Sequence, residues 1–183
     1  MSVVTVMPRE GDWTVDDIDL LPDDGLQYEL IDGILVVSPA PVPRHQRVVV
    51  RLLVQLDLAC PPELEVLVSP IDFRPDKTTS VQPDVVVVRR DAVGETNIVI
   101  APLLAVEVLS PSTRRKDLVL KHSVYADAGV ESYWTVDPKM PSIVCWNLIA
   151  GRYVEVGRAH GADTVSVTRP YPVTVCPQNL SSG

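Results

Sequence analysis

The chain has 183 residues, a net charge of −8 and 46% hydrophobic residues, which indicates one folded domain spanning residues 1–183. The acidic balance argues against a protein that coats nucleic acid nonspecifically, because neutralising phosphates requires a basic surface. No apolar run is long enough for a membrane helix, and no secretory signal is visible. Three widely separated cysteines predict neither disulfides nor a zinc site, so we expect a cytoplasmic protein without a membrane partner.

The first part of the chain predicts a short helix, a β-hairpin and a long helix. A capping-box pattern that begins at Thr14 indicates a helix over residues 14–21. The dipeptide Asp32-Gly33 lies between two apolar runs, which is a strong signal for a hairpin turn. Apolar residues then recur at helical spacing over residues 44–59, so a long amphipathic helix follows the hairpin.

The rest of the chain predicts mainly strands, two of which are so apolar that both faces should be buried. We expect strands over residues 64–73, 81–89, 103–109, 131–137, 142–148, 152–156, 164–167 and 173–175, and a helix over residues 114–128. This order predicts an α/β domain with a central mixed sheet flanked by helices, an N-terminal hairpin and extra C-terminal strands. The core would span about residues 24–156, with residues 157–183 as a C-terminal β extension.

Two acidic residues stand in strands that are otherwise apolar. Asp84 begins the valine run 85–88, and Glu107 is the only polar side chain of residues 103–109. A buried carboxylate is costly unless it is paired or binds a metal, and two on adjacent strands repel without a cation between them. We therefore expect both carboxylates to converge on one ion. The alternatives are a turn-side acid at Asp84 and a solvent-facing strand-end acid at Glu107.

A third charge, Lys121, lies in the predicted apolar sector of the helix over residues 114–128. That sector is defined by Leu118, Leu120, Val124, Tyr125 and Ala128. A buried lysine needs anionic partners, and the helix can fold back over the strand that carries Glu107. The alternative is a lysine whose charge reaches solvent and pairs with Asp117 one turn earlier.

Weaker candidates lie outside this trio. Glu29 stands in a predicted hairpin strand, and His45 stands at the start of the long helix. Their alternatives are a hairpin-edge acid and a surface histidine. Basic residues cluster at the starts of both helices, and a helix N-terminus with cations favours phosphate. The predicted phosphate contacts are Arg44, Arg114, Arg115 and Lys116, with a solvated charge run as the alternative.

Asp84, Glu107 and Lys121, on strand, strand and helix, resemble the active site of the PD-(D/E)XK nucleases. Pro83-Asp84 is the PD pair of that motif, but Leu109 stands where the motif has its lysine. In known variants of the superfamily the lysine migrates to the following helix, where Lys121 lies. The predicted element order is also similar to the αβββαβ core of restriction-endonuclease-like proteins.

Residues 24–153 more closely resemble the Uma-type family of bacterial restriction endonucleases. The matching motifs are Tyr28-Glu29-Leu30-Ile31-Asp32-Gly33, Ser38-Pro39, His45-Gln46, Gln82-Pro83-Asp84, Glu107-Val108-Leu109-Ser110-Pro111-Ser112-Thr113, Asp117 with Lys121, Tyr125, Tyr133-Trp134 and Asp137-Pro138. The segments EVLSPST and PDVVVV are specific to this family only in combination with a correctly spaced Lys121. The PD pair alone would not indicate the family.

The resemblance implies a metal-dependent endonuclease that hydrolyses phosphodiester bonds. Asp84, Glu107 and the carbonyl of Val108 would hold Mg²⁺ or Mn²⁺, since these are hard oxygen ligands. Lys121 would orient or deprotonate the attacking water. Glu29 would bind a water of the metal shell or a second metal, and His45 would contact the phosphate or the metal shell. The supporting residues would be Asp117, Gln82 and Ser110.

The expected partner is nucleic acid, in the first place DNA, and the β-rich termini favour a homodimer because they offer strand edges for pairing. The alternative function is a non-catalytic, dimeric interaction module that retains the nuclease fold. The acidic surface and Leu109 favour the module, whereas retention of Asp84, Glu107 and Lys121 favours the nuclease.

Overall fold

The computed structural model describes residues 5–7, 10–110 and 116–181, and only the backbone of residues 116 and 117. The strands are β1 Thr5–Met7, β2 Gln27–Ile31, β3 Ile34–Ser38, β4 Leu64–Val68, β5 Asp72–Asp76, β6 Thr79–Val81, β7 Val85–Arg89, β8 Asn97–Ile98, β9 Leu104–Val108, β10 Ser132–Asp137, β11 Ser142–Ile149, β12 Arg152–His160, β13 Val165–Val167 and β14 Val173–Val175. The helices are α1 Val15–Ile18, α2 Pro43–Ala59, a π-helix Lys116–Lys121 that continues into α3 His122–Asp127, and α4 Pro177–Ser181, with a 3-10 turn at Arg90–Ala92.

Most strands belong to two six-stranded sheets. Sheet 1 has the order β1-β3-β2-β6-β5-β8, and sheet 2 has the order β12-β11-β10-β9-β7-β4. Neighbouring strands of sheet 2 are antiparallel except for β9 and β10, which are parallel. A parallel pair needs a crossover connection, and here the π-helix and α3 supply it. This is the mixed α/β architecture that the sequence predicts.

The central strands of sheet 2, β7, β9 and β10, are buried on both faces. Val85 and Val87 of β7 join the core formed with α2, whereas Val86 and Val88 join a second core formed with α3 and sheet 1. On β9, Ala105 joins the second core as well. Because side chains alternate along a strand, a polar residue on β7 or β9 is removed from water whichever face it occupies.

The predicted hairpin is confirmed. β2 and β3 pair in the expected register from Gln27–Ser38 to Ile31–Ile34. Both turn residues have positive φ, 49° at Asp32 and 76° at Gly33, as a two-residue type I′ turn requires. The predicted long helix also forms, and it begins at Pro43, whose missing N–H costs nothing in the first helical turn.

Gly33→Ala is expected to destabilise the protein more than Gly151→Ala. Each glycine has a φ of 76°, so a Cβ at either position costs about 1–2 kcal/mol. A Cβ at Gly33 would also lie 2.7 Å from the Cβ of Asp12, whereas a Cβ at Gly151 meets nothing within 4 Å. Urea unfolding of both variants measures the difference, and equal losses would show that the Asp12 segment moves aside freely.

Two predicted strands are wrong in extent, because each one divides between the sheets. The strand over residues 64–73 separates into β4 of sheet 2 and β5 of sheet 1, with Pro70 between them. The strand over residues 81–89 separates into β6 of sheet 1 and β7 of sheet 2, with Pro83 between them. Proline has no N–H for a sheet ladder, so each proline falls where the chain leaves a sheet.

Two helical predictions also need correction. The helix predicted over residues 14–21 ends at Ile18, although its predicted capping box between Thr14 and Asp17 is present. Leu118 and Leu120, placed in the apolar sector of the next helix, are 36% and 46% exposed. The π-helix changes the spacing of side chains around the axis, so a wheel drawn for an α-helix assigns these two residues to the wrong face. In the described part of the chain, no helix has the length and apolar character needed to cross a membrane.

Candidate active site

Asp84 and Glu107 lie at the ends of two paired strands. The ladder between β7 and β9 ends with Val85 opposite Val106, so the next positions on the two strands are those of Asp84 and Glu107. The carboxylate of Asp84 accepts a hydrogen bond of 2.7 Å from the backbone N–H of Val108. Asp84 is 8% exposed and Glu107 is 2% exposed. Both acids are therefore buried, which excludes the solvent-facing alternative for Glu107, whereas Asp84 does lie in the bend directly before β7.

Lys121 meets the acidic side chains directly. Its ammonium lies 2.7 Å from Oε1 of Glu29 and 2.8 Å from Oε1 of Glu107, and it also donates to the carbonyl of Gln82 at 3.2 Å. Lys121 is only 2% exposed, so its charge does not reach solvent. A buried lysine in this position is stabilised by its ion pairs, and each acid is stabilised in return.

Glu29 reaches this cluster from the hairpin. It stands on β2, is 2% exposed, and its Oε1 also accepts a hydrogen bond of 2.9 Å from the backbone N–H of Gln82. Gln82 thus contacts Glu29 through its N–H and Lys121 through its carbonyl. The break between β6 and β7 places these backbone groups at the site, because Gln82 belongs to neither strand.

His45 pairs with Asp84. Its Nε2 lies 3.1 Å from Oδ2 of Asp84, and the histidine is 7% exposed, so the surface-histidine alternative is wrong. His45 lies in the first turn of α2, which packs on one face of sheet 2, whereas Lys121 approaches Glu107 from the other face. The two helices therefore bring their polar side chains to one end of the same pair of strands.

Known proteins resemble this chain in sequence and in fold. The profile of the Uma2 family, described as "Putative restriction endonuclease", matches residues 15–177. The chain belongs to the Uma2 family. One similar solved structure is a protein from Anabaena variabilis described as a "putative nuclease belonging to DUF820". It aligns with a TM-score of 0.72 and 18% identity over 92% of this chain and 97% of that one, which confirms the predicted fold class. No curated protein matches the sequence.

One buried contact of this candidate site was missed by sequence reasoning. The hydroxyl of Tyr125 donates to Oε1 of Glu107 at 2.6 Å, and Tyr125 is fully buried. Burial and the nearby Glu107 carboxylate hold the pKa of this hydroxyl well above its ordinary value. The signal in the sequence was the spacing, since Tyr125 follows Lys121 by one helical turn and therefore shares its face.

A second missed contact extends from Gln82 towards the surface. The side-chain amide of Gln82 donates to Oδ1 of Asp72 at 2.9 Å, and Oδ2 of Asp72 pairs with Arg74 at 2.7 Å. Arg74 in turn binds Asp19, just after α1. Nothing in the sequence pattern indicated this chain of contacts, because it joins segments that come together only when sheet 1 forms.

The candidate site offers oxygen atoms of the kind that a hard divalent cation takes. All hydrogen bonds of Asp84 within the described residues fall on Oδ2, which leaves Oδ1 for another ligand. The side-chain oxygen of Gln82 is buried and accepts no hydrogen bond there. In that same part of the chain, no group of three His, Cys, Asp or Glu residues could hold a metal. Mg²⁺ does not require three such side chains, since it commonly binds one or two carboxylates and completes its coordination shell with water.

The remaining predicted site residues lie outside this hydrogen-bonded cluster or outside the described residues. Arg44 is exposed on the first turn of α2, beside His45. Ser110 is half-buried just beyond β9. Arg114 and Arg115 lie outside the described residues, as do the side chains of Lys116 and Asp117. The structure thus brings Glu29, His45, Asp84, Glu107 and Lys121 into one hydrogen-bonded region of the fold.

Proposed function

We propose that this Uma2 chain is a metal-dependent endonuclease that hydrolyses phosphodiester bonds of nucleic acid, in the first place DNA. The observation that carries the proposal is the buried Lys121 between Glu29 and Glu107, at the strand ends where Asp84 also lies. A structural core does not need this cluster, because aliphatic residues of similar volume are often as stable as a buried ion pair. Membership of the family supports the same chemistry.

Mg²⁺ or Mn²⁺ would be held by Asp84, Glu107 and the carbonyl of Val108. Such an ion polarises the phosphate and lowers the pKa of a bound water. The N–H of Val108 and the ring of His45 hold the Asp84 carboxylate at the strand end. They thereby fix the negative charge that would attract the ion.

Lys121 is the residue proposed to stabilise the charge that develops on the phosphate. Its ammonium is held by Glu29, Glu107 and the Gln82 carbonyl, so its positive charge is fixed at the site before the reaction. To orient the attacking water it would exchange one of these acceptors for the water, because an ammonium has only three N–H donors. Arg44, exposed beside His45, is proposed to contact the phosphate backbone of the substrate.

The second candidate function is a non-catalytic interaction module. Lys121 is engaged by three acceptors, and this engagement would equally serve a protein in which the cluster only stabilises the fold. With a net charge of −8, such a module would bind nucleic acid weakly. The homodimer and the cytoplasmic location remain predictions under both functions.

Incubation of the purified protein with plasmid and single-stranded DNA tests the choice. We expect cleavage in Mg²⁺ or Mn²⁺ and no cleavage after chelation with EDTA, because the proposed site lacks chemistry without the ion. Titration of the metal by calorimetry accompanies the assay. Metal binding with cleavage supports the nuclease, whereas neither binding nor cleavage supports the module. Binding without cleavage would retain the metal site and reject DNA as the substrate.

A further inference from the structure

Tyr125 makes a contact at the site that packing alone does not explain. Its hydroxyl lies 2.6 Å from Oε1 of Glu107, the same oxygen that Lys121 meets at 2.8 Å. Two donors on one oxygen restrict rotation of the carboxylate group, because turning it would break both hydrogen bonds. The orientation of the Glu107 carboxylate is therefore set by Tyr125 together with Lys121.

The ring of Tyr125 is itself held firmly. It is fully buried in α3, and its centroid lies 5.4 Å from that of Tyr133, a fully buried residue of β10. The strand that carries Tyr133 is the parallel neighbour of β9, on which Glu107 stands. The hydroxyl is thus positioned from a rigid part of the fold, as a group that aligns a metal ligand must be.

We propose that Tyr125 is a positioning residue of the nuclease site, which holds the Glu107 carboxylate in the orientation that binds the metal. The proposal rests on the function proposed above, since it assigns Glu107 as a ligand. Tyr125 does not touch the substrate in this scheme and acts only through Glu107. Removing an outer contact of this kind typically costs about 10–100-fold in metal affinity or activity.

Tyr125→Phe tests the role, because it removes the hydroxyl and keeps the ring against Tyr133. A matched control is Tyr171→Phe, which deletes another buried hydroxyl, one that donates to the Leu56 carbonyl at 2.9 Å in the core around α2. The readouts are the affinity for Mn²⁺ by calorimetry, the Mn²⁺ concentration for half-maximal cleavage, and the melting temperature. We expect Tyr125→Phe to weaken Mn²⁺ binding about 10–100-fold and Tyr171→Phe to leave it unchanged.

Saturating Mn²⁺ separates positioning from a purely structural role. We expect it to restore most of the cleavage rate of Tyr125→Phe, since the variant keeps every proposed ligand. Wild-type affinity in Tyr125→Phe would overturn the positioning role and leave the nuclease function standing. A wild-type protein that binds no Mn²⁺ would overturn the proposed function and this inference together, so the two failures are distinguishable.

Discussion

Replacing Lys121 with methionine is expected to lower the free energy of unfolding by about 3–5 kcal/mol and to abolish cleavage. Methionine has a similar volume but no charge, so the Glu29 and Glu107 carboxylates lose the ammonium at 2.7 and 2.8 Å that stabilises them. Both acids are 2% exposed and gain little solvation from water. Urea unfolding measures the loss, and Lys77→Met, at an exposed position, should change stability by no more than about 0.5 kcal/mol.

A second substitution tests whether repulsion between the acids causes this loss. Glu29→Gln in the Lys121→Met background removes one negative charge and keeps an oxygen that accepts from the Gln82 N–H. We expect the double variant to be more stable than Lys121→Met but still inactive, because the ammonium is missing. A Lys121→Met protein as stable as wild type would show that the ion pairs of Lys121 with Glu29 and Glu107 contribute no net stability.

The elements set by local pattern could be predicted from the sequence. The Asp32-Gly33 hairpin and the helix α2 depend on turn residues and apolar spacing within one segment, and both formed as expected. The burial of Lys121 could also be anticipated, because a cation at that position had to find acids when the helix packed on the sheet. These features need no knowledge of which strand pairs with which.

The features that could not be predicted depend on contacts between distant segments. The division at Pro83 sends β6 and β7 to different sheets, and apolar patterning cannot reveal it because the pattern does not show which strands pair. The π-helix has no signal of its own in the pattern, and it exposes Leu118 and Leu120. The Asp72 contact with Gln82 exists only once sheet 1 has formed.

The candidate site takes its residues from both sheets and from two helices. Its geometry therefore depends on how these elements pack against one another. Glu29 comes from sheet 1, and Glu107 comes from sheet 2. Lys121 bridges them, and His45 reaches Asp84 from α2 on the opposite face. Loss of α2 from the sheet would therefore separate Asp84 from His45, and loss of the π-helix would separate Glu29 and Glu107 from Lys121.

Asp84→Asn is expected to reduce cleavage by about 10³-fold or more while the fold is retained. Asparagine keeps the shape of the side chain and an oxygen that can accept from the Val108 N–H, so it loses mainly the negative charge. Metal-assisted stabilisation is worth several kcal/mol, and each 1.36 kcal/mol changes the rate by about tenfold. The unfolding free energy should fall by about 1–3 kcal/mol, because the contacts of Val108 and His45 with the charged carboxylate are weakened rather than lost.

The rate of plasmid cleavage at fixed Mg²⁺, with the calorimetric metal affinity, checks this expectation. Asp163→Asn is the matched control, because Asp163 is exposed in the loop between β12 and β13. Cleavage that stays at the wild-type rate in Asp84→Asn, with unchanged metal affinity, would remove Asp84 from the ligand set. Equal cleavage in the Asp84, Lys121 and Asp163 variants would overturn the assignment of this cluster as the active site.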